Sequence, residues 1–112
     1  MFNEIMRHQR QMEQAVKMLR KTGEDYARAE RDYKVLLRQE ALKLKDSGMA
    51  VGLIEKTVYG VREVADARFK RDCAEAVYKA NQESINTTKL TIKILMNQYD
   101  KEWGHAPNDQ GL

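Results

Sequence analysis

The chain has 112 residues, of which 42% are hydrophobic and 33% charged, with a net charge of +3 and one cysteine. That length bounds a single small domain, and one cysteine excludes an intramolecular disulfide and suits a reducing compartment. The N-terminus Met1-Phe2-Asn3-Glu4 is polar within four residues and no apolar run approaches the ~18 residues a membrane span requires, so a soluble, intracellular protein is expected.

The first predicted element is a helix over about residues 3–46. Ile5, Met12, Leu19, Tyr26 and Tyr33 recur at seven-residue spacing, and Ala15, Val16, Ala29, Leu36 and Leu37 follow members of that series by three or four residues. This is the seam of a coiled-coil-like helix. Along one edge Arg10, Lys17, Arg31, Arg38 and Lys45 also fall at multiples of seven, with Lys21 and Arg28 beside them and Glu24 in the missing register. Two readings account for that edge: a solvated face of alternating charges, or a row of cations that tracks successive phosphates and displaces counterions.

Residues 47–61 are the predicted connector and hold three of the six glycines. Gly48, after Lys43 and Lys45, fits a helix stop, since cations suit a helix C-terminus. A short helix is expected around 51–57, with Gly60 releasing the chain into the second long helix. Lys43, Lys45, Lys56, Arg62, Arg68, Lys70 and Arg71 gather about this corner, with Tyr59 among them. Cations beside an available ring are what single-stranded nucleic acid binding uses, because charge tracks the backbone and the ring stacks on any base. Lysines that cap helix carbonyls and a tyrosine that covers the hairpin end give the same pattern with no ligand.

The second long helix is predicted over about 62–103. Val64, Ala67, Ala74, Tyr78, Ile85, Thr88, Ile92, Leu95 and Tyr99 form a stripe at steps of three and four, and Cys73, Val77, Ala80, Ser84 and Thr87 run beside it. The face is therefore expected to be wide, built of small residues, with Cys73 inside it and this helix the more buried of the two. The remaining residues, 104–112, carry the only proline, Pro107, and are expected to be a flexible tail.

The fold expected is all-α, a long helical hairpin with a short connector helix, forming one domain over 1–103. At roughly 1.5 Å per residue each tract would be on the order of 60 Å long. Burial at about 25 cal/mol per Å² must offset ~1–2 kcal/mol of backbone entropy per residue, which two helices alone seldom achieve. Assembly into a homo-oligomer, or docking on a partner, is expected.

Catalytic and metal motifs are missing from the pattern. His8 and His105 lie at opposite ends, and neither is spaced to pair with Cys73 or a carboxylate. Glu24, Asp25, Glu30 and Asp32 lack the Glu-x-x-His pairing of a di-metal bundle. Neither a phosphate-cradling Gly-x-x-x-x-Gly-Lys loop nor a Gly-x-Ser-x-Gly elbow occurs. No enzyme activity, cofactor or metal is expected.

The stretch Ala41-Leu42-Lys43-Leu44-Lys45-Asp46, ending a long charged helix before a glycine-containing turn, resembles the Leu-Lys-Ala-Arg motif of the UvsY-type recombination mediators of phages. The run from Val64 through Asp72, with Tyr78, Glu83, Ile85-Asn86, Lys89, Ile92, Ile94-Leu95 and Glu102-Trp103-Gly104, also resembles small helical proteins of phage replication and recombination modules. The resemblance covers roughly residues 33–103. It implies a non-catalytic, oligomeric protein in the cytoplasm of a bacterial host that binds single-stranded DNA and assists recombinase loading. A recombinase or single-strand-binding protein would be its further partner. The motif cations would be Lys43 and Lys45, the latter standing where the family shows arginine, and Leu44 departs from the motif. The other class the pattern allows is a helical interaction module, an adaptor, scaffold or phage inhibitor of a host system, whose apolar stripe continues into a foreign helix.

Overall fold

In the computed structural model, residues 1–104 are described; the predicted tail from 105 onward, with His105 and Pro107, lies outside the described residues. Four helical elements and a final turn follow one another. They are α1 (Phe2–Asp46), α2 (Val51–Thr57), a 3-10 turn (Val58–Gly60), α3 (Arg62–Tyr99) and a π-helical turn (Asp100–Gly104). The all-α expectation and the short connector helix are both met among the described residues.

The reasons are local. α1 contains no proline and one glycine, Gly23, over 45 residues, so nothing interrupts its backbone ladder. Its end is a Schellman motif: Met49 N–H donates to the Leu44 carbonyl at 3.2 Å and Gly48 N–H to the Lys45 carbonyl at 3.0 Å. Gly48 takes φ +91°, a left-handed conformation that costs glycine little and other residues more. Lys43 and Lys45 occupy the last turn, where cations oppose the negative end of the helix dipole. α2 starts without a side-chain cap, its first turn closed by Leu53 and Ile54 N–H donating to the Ala50 carbonyl at 2.9 and 3.1 Å.

The chain divides into two compact units, one formed by Lys21–Lys79 and one by Met1–Arg20 with the described residues from Ala80 onward. In the Lys21–Lys79 unit, Tyr33, Val58 and Val64 are the core, with Leu36, Leu37, Ala41, Leu44, Val61 and Ala67 packed around them. Val64 is fully enclosed. The α1 and α3 segments of this unit are antiparallel, since Tyr26 meets Glu75 while Glu30 meets Arg71. In the other unit Ile5 and Ile92 are buried, the Phe2 and Tyr99 rings lie 6.3 Å apart, and Asn81 Nδ2 donates to the Ala15 carbonyl at 2.9 Å.

Every member of the α3 stripe is buried or half-buried, and so is every member of the α1 seam except Val16, which is exposed. The two registers missing from the α3 stripe are filled by Arg71 and Asn81, both half-buried. Each polar intruder has a polar partner on α1: Glu30 for Arg71 and the Ala15 carbonyl for Asn81.

Two expectations are corrected. Cys73, Val77, Ala80, Ser84 and Thr87 are all exposed, so the buried face of α3 is one stripe wide and Cys73 lies outside it. A helix packed on one neighbour hides only the ridge that enters that neighbour's groove, and the adjacent column stays in water. Nor is α3 the more buried helix, because α1 contributes Ile5, Thr22, Ala29 and Tyr33 to the buried set and α3 only Val64 and Ile92.

Candidate nucleic-acid interface

The connector end of the Lys21–Lys79 unit concentrates the charge. Residues 38–71 carry eight Lys/Arg against five Asp/Glu, whereas the rest of the chain carries twelve of each. The whole surplus of three therefore belongs to the end of α1, the connector and the start of α3. That placement concerns charge density and is independent of any contact.

The seven cations and one ring expected there do not behave alike. Lys45, Lys56, Arg62 and Lys70 are exposed and have no ion pair among the described residues. Arg68, also exposed, stands with its guanidinium carbon 6.0 Å from the centre of the Tyr59 ring, and Tyr59 is 44% exposed. A ring that is both accessible and flanked by a cation retains a free face for stacking. Lys43 is exposed, but its Nζ lies 3.0 Å from Glu40 Oε1, one turn back on α1. That carboxylate would compete with any phosphate for the charge.

Arg71 serves the interior. Its guanidinium lies 4.7 Å from the centre of the Tyr33 ring, with Nε donating to Asp72 Oδ1 at 2.9 Å and Nη1 at 3.6 Å from Glu30 Oε1. Burial works against its charge, but the hydrogen bond to Asp72, and the charges of Asp72 and Glu30, outweigh that and raise its pKa above the ordinary arginine value. One turn of α3 further on, Tyr26 Oη donates to Glu75 Oε2 at 2.8 Å. That bond, with burial and the negative charge of Glu30, pushes the Tyr26 pKa up to about 12. Among the described residues no buried side-chain polar atom lacks a partner.

The basic edge of α1 resolves into three parts, of which the first, Arg10 and Lys17, is exposed with no ion pair among the described residues. From Lys21 to Lys34 the cations sit against acids on the same helix: Lys21 with Asp25 at 3.0 Å, Arg28 with Glu24 at 3.7 Å, Arg31 with Asp32 at 3.0 Å, and Lys34 with Glu30 at 3.7 Å. This stretch is the solvated, mixed-charge face, in which such pairs are worth only ~0.3–0.5 kcal/mol. Beyond it Arg38 and Lys45 have no ion pair among the described residues.

Sequence reasoning missed the surface beside these two cations. Leu42 and Val51 are 52% and 77% exposed, and they border a groove between α1 and the connector of about 610 Å³. The signal was present: Leu42 stands seven residues after exposed Val35, in a register outside the seam. No group of three or more His, Cys, Asp or Glu among the described residues could hold a metal ion. No described helix is long and apolar enough to cross a membrane. No protein family, curated protein or solved structure matches this chain.

Proposed function

We propose that this chain is a non-catalytic accessory protein of phage-type DNA recombination or replication, which binds single-stranded DNA as an oligomer and assists recombinase loading. The observation that carries the DNA reading is the confinement of the charge surplus to residues 38–71, where Lys45, Lys56, Arg62 and Lys70 have no ion pair among the described residues and Arg68 flanks exposed Tyr59. The recombination context rests on the resemblance of 41–46 and of the α3 run to UvsY-type mediators. One protomer offers few phosphate contacts, so useful affinity requires several connector ends acting together.

The test is a salt titration of binding to a fluorescent oligothymidine, with Lys45→Ala/Lys56→Ala as the comparison. Each phosphate contact steepens the dependence by about 0.7 log units per log salt for single strands. The double variant should bind more weakly and lower the slope by about 1.4 per protomer engaged, with its thermal unfolding unchanged. No binding at low salt, or equal binding by the variant, overturns the assignment.

A second reading, a helical protein-interaction module, is favoured by the exposed column Phe69, Cys73 and Val77, which rises on α3 at four-residue steps. Exposed apolar side chains in register on one helix face are a surface for another helix.

A further inference from the structure

The groove between the last turns of α1 and the connector suits a ligand other than nucleic acid. Its base is buried Ile54 and Val58, and its lip is formed by exposed Leu42 and Val51. Among the described residues Tyr59 is its single aromatic, so the interior offers aliphatic contact where a run of bases would need stacked rings. Along the α1 margin stand Lys34, Arg38 and Lys45, and facing them from the connector is one acid, Glu55. Lys34 is engaged by Glu30 at 3.7 Å. Arg38 and Lys45 have no ion pair among the described residues and are seven residues apart, which is two turns and about 10 Å along a helix.

We propose that this groove docks an acidic amphipathic helical segment of a protein partner. Apolar side chains of the segment would cover Leu42 and Val51, and carboxylates two turns apart would meet Arg38 and Lys45. The margin from Lys34 to Lys45 is about 16 Å long, which three turns of helix match. Seating such a segment removes the lip from water, and the unneutralised cations select its charge and direction. The proposal goes beyond the DNA reading and shares Lys45 and Tyr59 with it, and Arg38 only as part of the same charge surplus.

The experiment uses the full chain and three labelled 14-residue synthetic peptides followed by fluorescence anisotropy. One carries leucines on a helical face flanked by glutamates, one has lysine for every glutamate, and one is a scramble of the first. The acidic amphipathic peptide should bind saturably, and the lysine and scrambled peptides about tenfold more weakly or worse. In Arg38→Gln/Val51→Ser its affinity should fall about tenfold, with oligothymidine binding retained. Saturable binding absent at millimolar peptide, or equal binding of the scramble, overturns the proposal with no reliance on the variant. If oligothymidine displaces the peptide from the wild-type chain and the double variant loses oligothymidine binding, the groove is a nucleic-acid site and the proposal fails. It fails equally if Val51→Ser dissociates the assembly in light scattering while no peptide binds, because a second copy then fills the groove. DNA binding lost with peptide binding intact would sink the other reading alone.

Discussion

The Arg71 guanidinium carbon lies over the Tyr33 ring, 4.7 Å from its centre, so a cation of α3 covers a core aromatic of α1. The contact joins the Tyr33–Val58–Val64 core to the polar pairs beside it, and it takes one of the expected DNA-binding cations out of the exposed set. Arg71→Ala should destabilise the fold by about 1–3 kcal/mol through lost ring contact, lost stem packing and the loss of one of Glu30's two cation partners, Lys34 remaining. Arg71→Lys should recover little, since an ammonium cannot lie on the ring and hold Asp72 at once. Urea denaturation of both variants measures this. An Arg71→Ala protein as stable as the parent removes Arg71 from the architecture.

Tyr26 gives the fold an alkaline limit. Its pKa stands at about 12 against an ordinary 10.0, because the phenol donates to Glu75 and ionisation would set two anions together. The folded state therefore favours the neutral ring. The contribution is whole below pH 10 and is lost as pH rises from about 10 toward 12. Unfolding midpoints measured through that window should fall more steeply for the parent than for Tyr26→Phe. Parallel curves would mean that the Glu75 bond does not control the titration.

Gly23 makes room for a ring. A Cβ built there would stand 3.2 Å from Tyr78 Cε1, and Tyr78 packs on Tyr26 with ring centres 5.9 Å apart. Leucine is the better helix former by about 1 kcal/mol, yet Gly23→Leu should destabilise by about 1–3 kcal/mol because the ring must be displaced. The sign of the change separates packing from propensity. A stabilised Gly23→Leu protein would show that Tyr78 moves freely.

Gly48 isolates a backbone effect. Among the described residues nothing lies within 4 Å of a Cβ added there, so Gly48→Ala makes no clash and meets only the left-handed φ of +91°. A loss of about 1 kcal/mol is expected, and less for Gly48→Asn, whose side chain tolerates that region. Denaturant midpoints for the three proteins should rank Gly, Asn, Ala.

The exposed α3 column should report on assembly. Phe69 is 71% exposed, so Phe69→Glu disturbs no interior packing, while it places a charge where a neighbouring helix would sit. The scattering mass should fall relative to the parent at equal concentration. An unchanged mass with unchanged stability would remove this column from the interface.

Much of the fold was legible because two long tracts without proline, each with a repeating apolar register, have few alternatives to α-helix. The α1 seam and the stripe from Val64 to Tyr99 fall on buried or half-buried positions of α1 and α3 with Val16 as the exposed exception, while buried Thr22 lies outside the seam. Gly48 and the short helix α2 were readable for the same local reason, since φ above zero and an isolated apolar turn are properties of a few neighbouring residues. The connector cations were legible as residue types and as a cluster.

Which of those cations are engaged was decided by tertiary structure. Arg71 has the same formal charge as Lys45, yet it lies on Tyr33 beside Glu30 of the other long helix, whereas the pairing of Lys43 with Glu40 is local to α1. The width of the buried α3 face was likewise decided in space: Cys73 and Val77 are as apolar as Ala74 and Tyr78, but α1 covers one ridge only. Sequence determined the helices and their inward stripes because backbone preference and periodicity are local. The fold alone determined which charges remain available and which apolar residues remain uncovered, because both depend on partners brought close from dozens of residues away.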